Sequence, residues 1–154
     1  MSASLRLVVA AGALAAASLA PAALRAQASA TAAPRAADSL AFPRQFVNWI
    51  FTTRGDSAFA HAGARLREAM KSADDVNAMA ARIASRFGEA QGTTAEVQLD
   101  EGPLKVYIAV MRFEKSPEPG AWVVAYSPVT EIVERSSFSP LSRVKEHYPQ
   151  AKLP

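Results

Sequence analysis

Cysteine is absent from all 154 residues. That excludes disulfides, zinc–thiolate sites, iron–sulfur clusters and a cysteine nucleophile, and it leaves no attachment point for a bacterial lipoprotein. Histidine is scarce, with only His61 and His147. No Gly-rich phosphate loop, Gly-x-Ser-x-Gly elbow or His-Glu-x-x-His pair occurs, and there is no internal repeat. Asp74-Asp75 falls where the first turn of a helix favours acids, and Asp100-Glu101 falls in a turn. No local loop gathers enough oxygen ligands for calcium, so neither a metal nor a cofactor is expected.

Charge of one sign is also lacking. The N-terminus has a short positive region at Arg6, an alanine-rich apolar run over Leu7–Leu24 broken by Pro21, and small residues at Ala26-Gln27-Ala28. This reads as a secretory signal over residues 1–28, cleaved after Ala28 or at neighbouring Ala26 or Ala30. The alternative is an uncleaved membrane anchor, which so alanine-rich a run serves poorly. Taking Arg6 and Arg25 from the 17 basic residues leaves 15 against 14 acidic ones, a net +1. Nucleic acid is therefore not an expected partner, because it needs a clustered basic face. Residues 29–38 carry Pro34 and no apolar periodicity, which reads as a disordered linker before a domain at 39–140 and a C-terminal tail at 141–154.

What is present is a hairpin with two apolar faces. Leu104–Phe113 and Ala121–Tyr126 are rich in β-branched and aromatic residues and flank the connection Glu114–Gly120. Leu104, Val106, Ile108 and Val110 point one way, and Tyr107, Ala109, Met111 and Phe113 the other.

Upstream, spacing predicts three helices. The first runs from Pro43 to Thr53, with Phe46, Trp49, Ile50 and Thr53 on one face and Gly55 closing it in a left-handed conformation. The second is capped by Asp56 or Ser57 and buries Phe59, Ala62, Leu66 and Met70. The third is capped by Ser72 with Asp75 three residues on, carries Val76, Met79, Ala80, Ile83 and Phe87, and ends at Gly88. After Gly92 the period becomes two: Ala95, Val97 and Leu99 alternate with Glu96, Gln98 and Asp100 in a half-exposed strand. A fourth strand is expected over Thr130–Phe138 with Ile132 and Phe138 inward, then a short helix carrying Leu141, Val144 and Tyr148. The result is an α+β domain: three N-terminal helices on a curved four-stranded antiparallel meander sheet. Those helices cover one hairpin face. The other must line a cavity, meet the C-terminal segment or meet a partner.

The order Phe46-Val47…Trp49, Gly55-Asp56, Arg86-Phe87-Gly88, two long strands and Ile132…Phe138-Ser139-Pro140 resembles small secreted bacterial domains of the nuclear transport factor 2-like, or cystatin-like, superfamily. The likeness covers about Leu40 to Pro140. It implies a strongly curved sheet wrapped on the helices around a cone-shaped cavity. Some members are isomerases or dehydratases with an Asp or His base beside a Tyr, and many others only bind. The chain departs by lacking a further strand after the first helix, which leaves the cone shallower or open.

Candidate site residues are Phe46, Trp49, Tyr107, Met111, Arg112, Trp122 and Tyr126. The aromatic members read either as core or as the wall of an apolar pocket. Arg112 interrupts the apolar alternation, so it either emerges into solvent or sits at the cavity mouth as an anion hook. Both histidines read as surface residues, since neither has an orienting partner nearby in sequence. No catalytic residue is expected. The reading is an exported, non-catalytic domain that binds a small apolar ligand or a protein partner and dimerises through its sheet, with Trp122 or Tyr126 as anchors. The alternative is a cone-pocket enzyme of the isomerase or hydratase type.

Overall fold

The computed structural model describes residues 38–154. The predicted signal at 1–28, and all of the predicted linker but Asp38, lie outside the described residues. Helices α1 (Ala41–Phe51), α2 (Gly55–Ala60), α3 (Ala64–Ala69) and α4 (Ala73–Phe87) come first. Strands β1 (Ala90–Glu101), β2 (Leu104–Phe113), β3 (Ser116–Tyr126) and β4 (Val133–Pro140) follow, and α5 (Leu141–His147) with a 3-10 turn at Pro149–Ala151 completes the chain. The strands pair antiparallel in the order β1-β2-β3-β4, so the fold is α+β with a four-stranded meander.

Helix α4 starts and stops as its sequence dictates. Ser72 Oγ accepts from the Asp75 N–H at 3.2 Å, and Asp75 Oδ2 accepts from the Lys71 N–H at 2.9 Å. Gly88 ends it at φ +80°, and the following turn is tied back by the Lys115 N–H donating to the Phe87 carbonyl at 2.8 Å.

The first two predicted helices need correction. Helix α1 is shifted toward the N-terminus, burying Pro43, Phe46, Val47 and Ile50, while Thr53 is exposed. The left-handed residue after it is Thr53, at φ 54°, and not Gly55. Gly55 instead opens α2, where its N–H donates to Asn77 Oδ1 on α4 at 3.0 Å. A Cβ there would run into the Ala73 carbonyl, so this helix crossing requires glycine. Neither Asp56 nor Ser57 caps α2.

The single helix expected to run to Met70 is two helices, broken at His61–Gly63. Ala62 bridges in parallel to Val133 at the β4 edge: the Val133 N–H donates to the His61 carbonyl and the Gly63 N–H to the Val133 carbonyl, each at 2.8 Å. Backbone groups committed to the sheet edge are lost to a helix. The freed carbonyls at the end of α2 are taken up by Arg67, whose Nε donates to Ala62 O at 2.7 Å and whose Nη2 donates to Ala60 O at 3.2 Å.

The strands also differ in extent. β1 begins at Ala90 rather than Ala95, and β4 begins at Val133, which is fully buried where Ile132 was expected to be. The hairpin turns tightly at Glu114-Lys115, and β3 already includes Pro117 and Pro119. These prolines lie beyond the last β3–β4 pair, Gly120↔Pro140, so no β4 acceptor misses their N–H groups.

Both hairpin faces are buried. Tyr107, Met111, Phe113, Trp122, Val124 and Tyr126 pack with the helices. Val106, Ile108, Val110, Ala121, Val123 and Ala125 form a second cluster with Leu141, Val144 and Ala151 of the C-terminal segment. Of the three roles open to that second face, contact with the C-terminal segment is the one the structure shows. The apolar row of β1, Ala95, Val97 and Leu99, joins this second cluster. Alternation then turns Glu96 and Gln98 to the helix side.

Candidate functional site

A cleft of about 810 Å³ opens between α1 and β1. Helix α1 supplies Arg44, Val47, Asn48 and Phe51, the sheet supplies Thr93, Thr94, Glu96, Tyr107 and Met111, and Leu40 closes one end. The apolar members come from the helix stripe and from β2. The polar members are Arg44 and Asn48 of α1 together with Thr93, Thr94 and Glu96 of β1.

Glu96 is the hub. Arg44 Nε donates to its two carboxylate oxygens at 2.8 and 3.0 Å, and Nη2 donates to Oε2 at 2.7 Å. The Tyr107 hydroxyl donates to Oε1. Arg44 also pairs with Asp38. The guanidinium and hydroxyl donors hold the Glu96 carboxyl below its ordinary range, Arg44 foremost, against a smaller opposing push from burial. Burial first, and the adjacent carboxylate second, push the Tyr107 phenol well above its ordinary value. The Glu96 carboxylate therefore stays ionised and the Tyr107 phenol stays protonated, a fixed acceptor beside a fixed donor.

A second polar chain adjoins it. Gln98 Nε2 donates to the Tyr126 hydroxyl at 2.7 Å, which in turn donates to the Ser39 carbonyl at 3.2 Å. Phe42 packs on Tyr126, with ring centroids 5.4 Å apart.

Of the seven residues marked from sequence, only Tyr107 and Met111 line the cleft. Phe46, Trp122 and Tyr126 are buried in the helix-side core, and Trp122 satisfies its indole N–H on Ser136 Oγ at 2.8 Å. Trp49 is half-buried and stacks on His61, with centroids 5.1 Å apart. Arg112 is exposed. His147 is exposed, but His61 is not the surface residue its sequence context suggested. The α2–α3 break tucks it between Phe42 and Trp49, with Nδ1 at 3.0 Å from the Glu131 carbonyl. A carbonyl only accepts, so Nδ1 carries the proton there.

Sequence reasoning missed Arg44 and Glu96. An arginine and a glutamate 52 positions apart give no local signal. The one available clue was that both faces of β2 are apolar: with two cores in the fold, the polar row of β1 need not face solvent.

No family model, curated protein or solved structure matches the chain.

Proposed function

We propose that this chain is an exported, non-catalytic binding domain whose α1–β1 cleft takes a small molecule with an apolar body and a hydrogen-bonding group. The observation that carries this reading is the state of Glu96. Both of its oxygens are engaged and its proton affinity is lowered, which makes it a poor general base and a good fixed acceptor. Val47, Phe51 and Met111 offer the apolar wall, while Asn48, Thr93 and Thr94 offer further polar contacts. The order of helices then meander supports reading the domain as nuclear transport factor 2-like, with this cleft as its shallow cone. Export rests on the signal-like residues 1–28.

The test is an NMR titration of the protein with 1-naphthol, a neutral aromatic alcohol. Amide shifts should concentrate at Val47–Phe51 and Thr93–Glu96, and Asn48→Trp, which fills the exposed side of the cleft, should abolish them. Scattered shifts, or binding untouched by that variant, would reject the reading.

One observation keeps the enzymatic reading as a second: a carboxylate sits within hydrogen-bond reach of a tyrosine inside the cleft. Carbon-detected NMR of the Glu96 side chain separates the two. A midpoint above the ordinary glutamate value of about 4.3 favours a base, and one below it favours the binding domain.

Homodimerisation belongs to the same proposal. Trp122 and Tyr126 are buried against the helices, so the contact must use other residues of the sheet. Light scattering that finds a strict monomer at high micromolar concentration would remove it.

A further inference from the structure

The opposite side of the sheet carries a second cavity, of about 730 Å³, between α5 and strands β3 and β4. Its floor is aliphatic: Val123 and Ala125 from β3 and Val144 from α5. Its wall is the β4 row Arg135, Ser137 and Ser139, which alternation aims to one face at spacings of about 7 Å. This row pairs across to Ala125, Val123 and Ala121. Hydroxyls therefore stand on a face whose neighbouring strands bury valine, isoleucine and alanine. Ser137 is exposed and Ser139 half-buried on this edge strand, so both hydroxyls are open to a ligand in the groove.

The groove is rich in donors. Arg135 is ion-paired through Nη2 with Glu101 Oε2, which lies outside the groove lining, and keeps its other N–H groups for a ligand. Among the described residues, the Arg143 guanidinium has no carboxylate within ion-pair distance, and the Ser137 and Ser139 hydroxyls have no hydrogen-bond partner. His147 and Tyr148 add polar atoms at the α5 end. Against these stands one lining carboxylate, Glu146. Two arginines and two hydroxyls lining one groove above an aliphatic floor suit a planar or tetrahedral oxyanion carried on a hydrocarbon body.

We propose that the α5–β4 groove is a binding site for an anionic amphiphile, with Arg143 and Arg135 gripping a phosphate or carboxylate head and Val123, Ala125 and Val144 contacting its apolar part. The site is separate from the α1–β1 cleft and shares no lining residue with it. Occupancy would also brace α5 against the sheet.

The test titrates the isotope-labelled full chain with octyl phosphate, inorganic phosphate and the neutral octyl glucoside. Octyl phosphate should shift amides over residues 135–148, and octyl glucoside should not. If inorganic phosphate shifts the same amides, the head group suffices. If only octyl phosphate does, the tail is required. Both results support the site and distinguish a free oxyanion from an amphiphile. Arg143→Ala should weaken octyl phosphate about tenfold, the loss expected of one charge-assisted contact. Glu146→Gln should strengthen binding by removing the opposing charge. Ser137→Ala with Ser139→Ala should also weaken it, while far-ultraviolet circular dichroism stays unchanged. Equal shifts from octyl glucoside, no shifts over residues 135–148, or affinity unmoved in all three variants would overturn the proposal.

Discussion

At Glu96 both carboxylate oxygens are engaged by Arg44 and one also by Tyr107, which fixes how the cleft responds to acid. The carboxyl binds its proton less readily in the folded state than in the unfolded one. Its stabilising contribution is therefore present above the unfolded value and is lost as pH falls through the lower, folded value. Urea unfolding between about pH 6 and pH 2, a window spanning ordinary carboxylate titration, should show stability declining with acid. Glu96→Gln should flatten that decline and lower stability near neutral pH. An unchanged slope would mean that Glu96 is not the group responsible.

Trp122 is the other decisive residue. It is fully buried, meets Phe51 edge-on with centroids 5.4 Å apart, and has its indole N–H satisfied on Ser136. Trp122→Ala should cost about 3–5 kcal/mol, the range for deleting a large buried aromatic, read from the urea midpoint at unchanged slope. A loss below about 1 kcal/mol would contradict so complete a burial.

Among the elements, the α2–α3 break is the least regular. Two six-residue helices, α2 and α3, are too short to be stable alone. They persist because Ala62 pairs with β4, Asn77 caps α2 from α4, and Arg67 gathers the carbonyls at the other end. Arg67 also lies over the Phe59 ring at 5.1 Å. Arg67→Ala should destabilise the fold by about 1–2 kcal/mol, as expected for charge-assisted bonds to carbonyls left unpaired. Hydrogen exchange should report the loss first at Ala62–Met70, and uniform acceleration across the domain would argue against a local staple. Apolar spacing alone reads this stretch as one helix, because Ala62 and Leu66 stay inward whether or not the helix is continuous. Gly63 was the only sign of a break, and a lone glycine inside a helical pattern is ambiguous. Helix α4 was legible end to end, since its cap, stripe and terminating glycine are all local.

For the whole molecule, the sheet separates two cores, and the second depends on a thin C-terminal cover. Leu141 and Val144 of α5 are buried against the sheet. Val144→Asp would place an unpaired carboxylate in the apolar cluster beside Val123 and Ala125. It should release α5, increase binding of an apolar dye and lower the melting temperature by about 10 °C or more, as several kcal/mol do in a domain of this size. Dye binding equal to wild type would show that α5 is not needed to cover that face.

By itself the sequence determined the α+β class, the helices-then-strands order, the meander, the α4 boundaries and the presence of two apolar faces on the central hairpin. Each follows from local periodicity, capping chemistry or short connections, which act over a few residues. Tertiary structure alone decided which core each face joins, that Ala62 joins the sheet edge, and that Arg44, Glu96 and Tyr107 meet in one cleft. Those outcomes depend on which element packs on which side of the sheet. A strand's alternation says that two faces differ, and only the packing of α1 and α5 on opposite sides says which of them the polar row will meet.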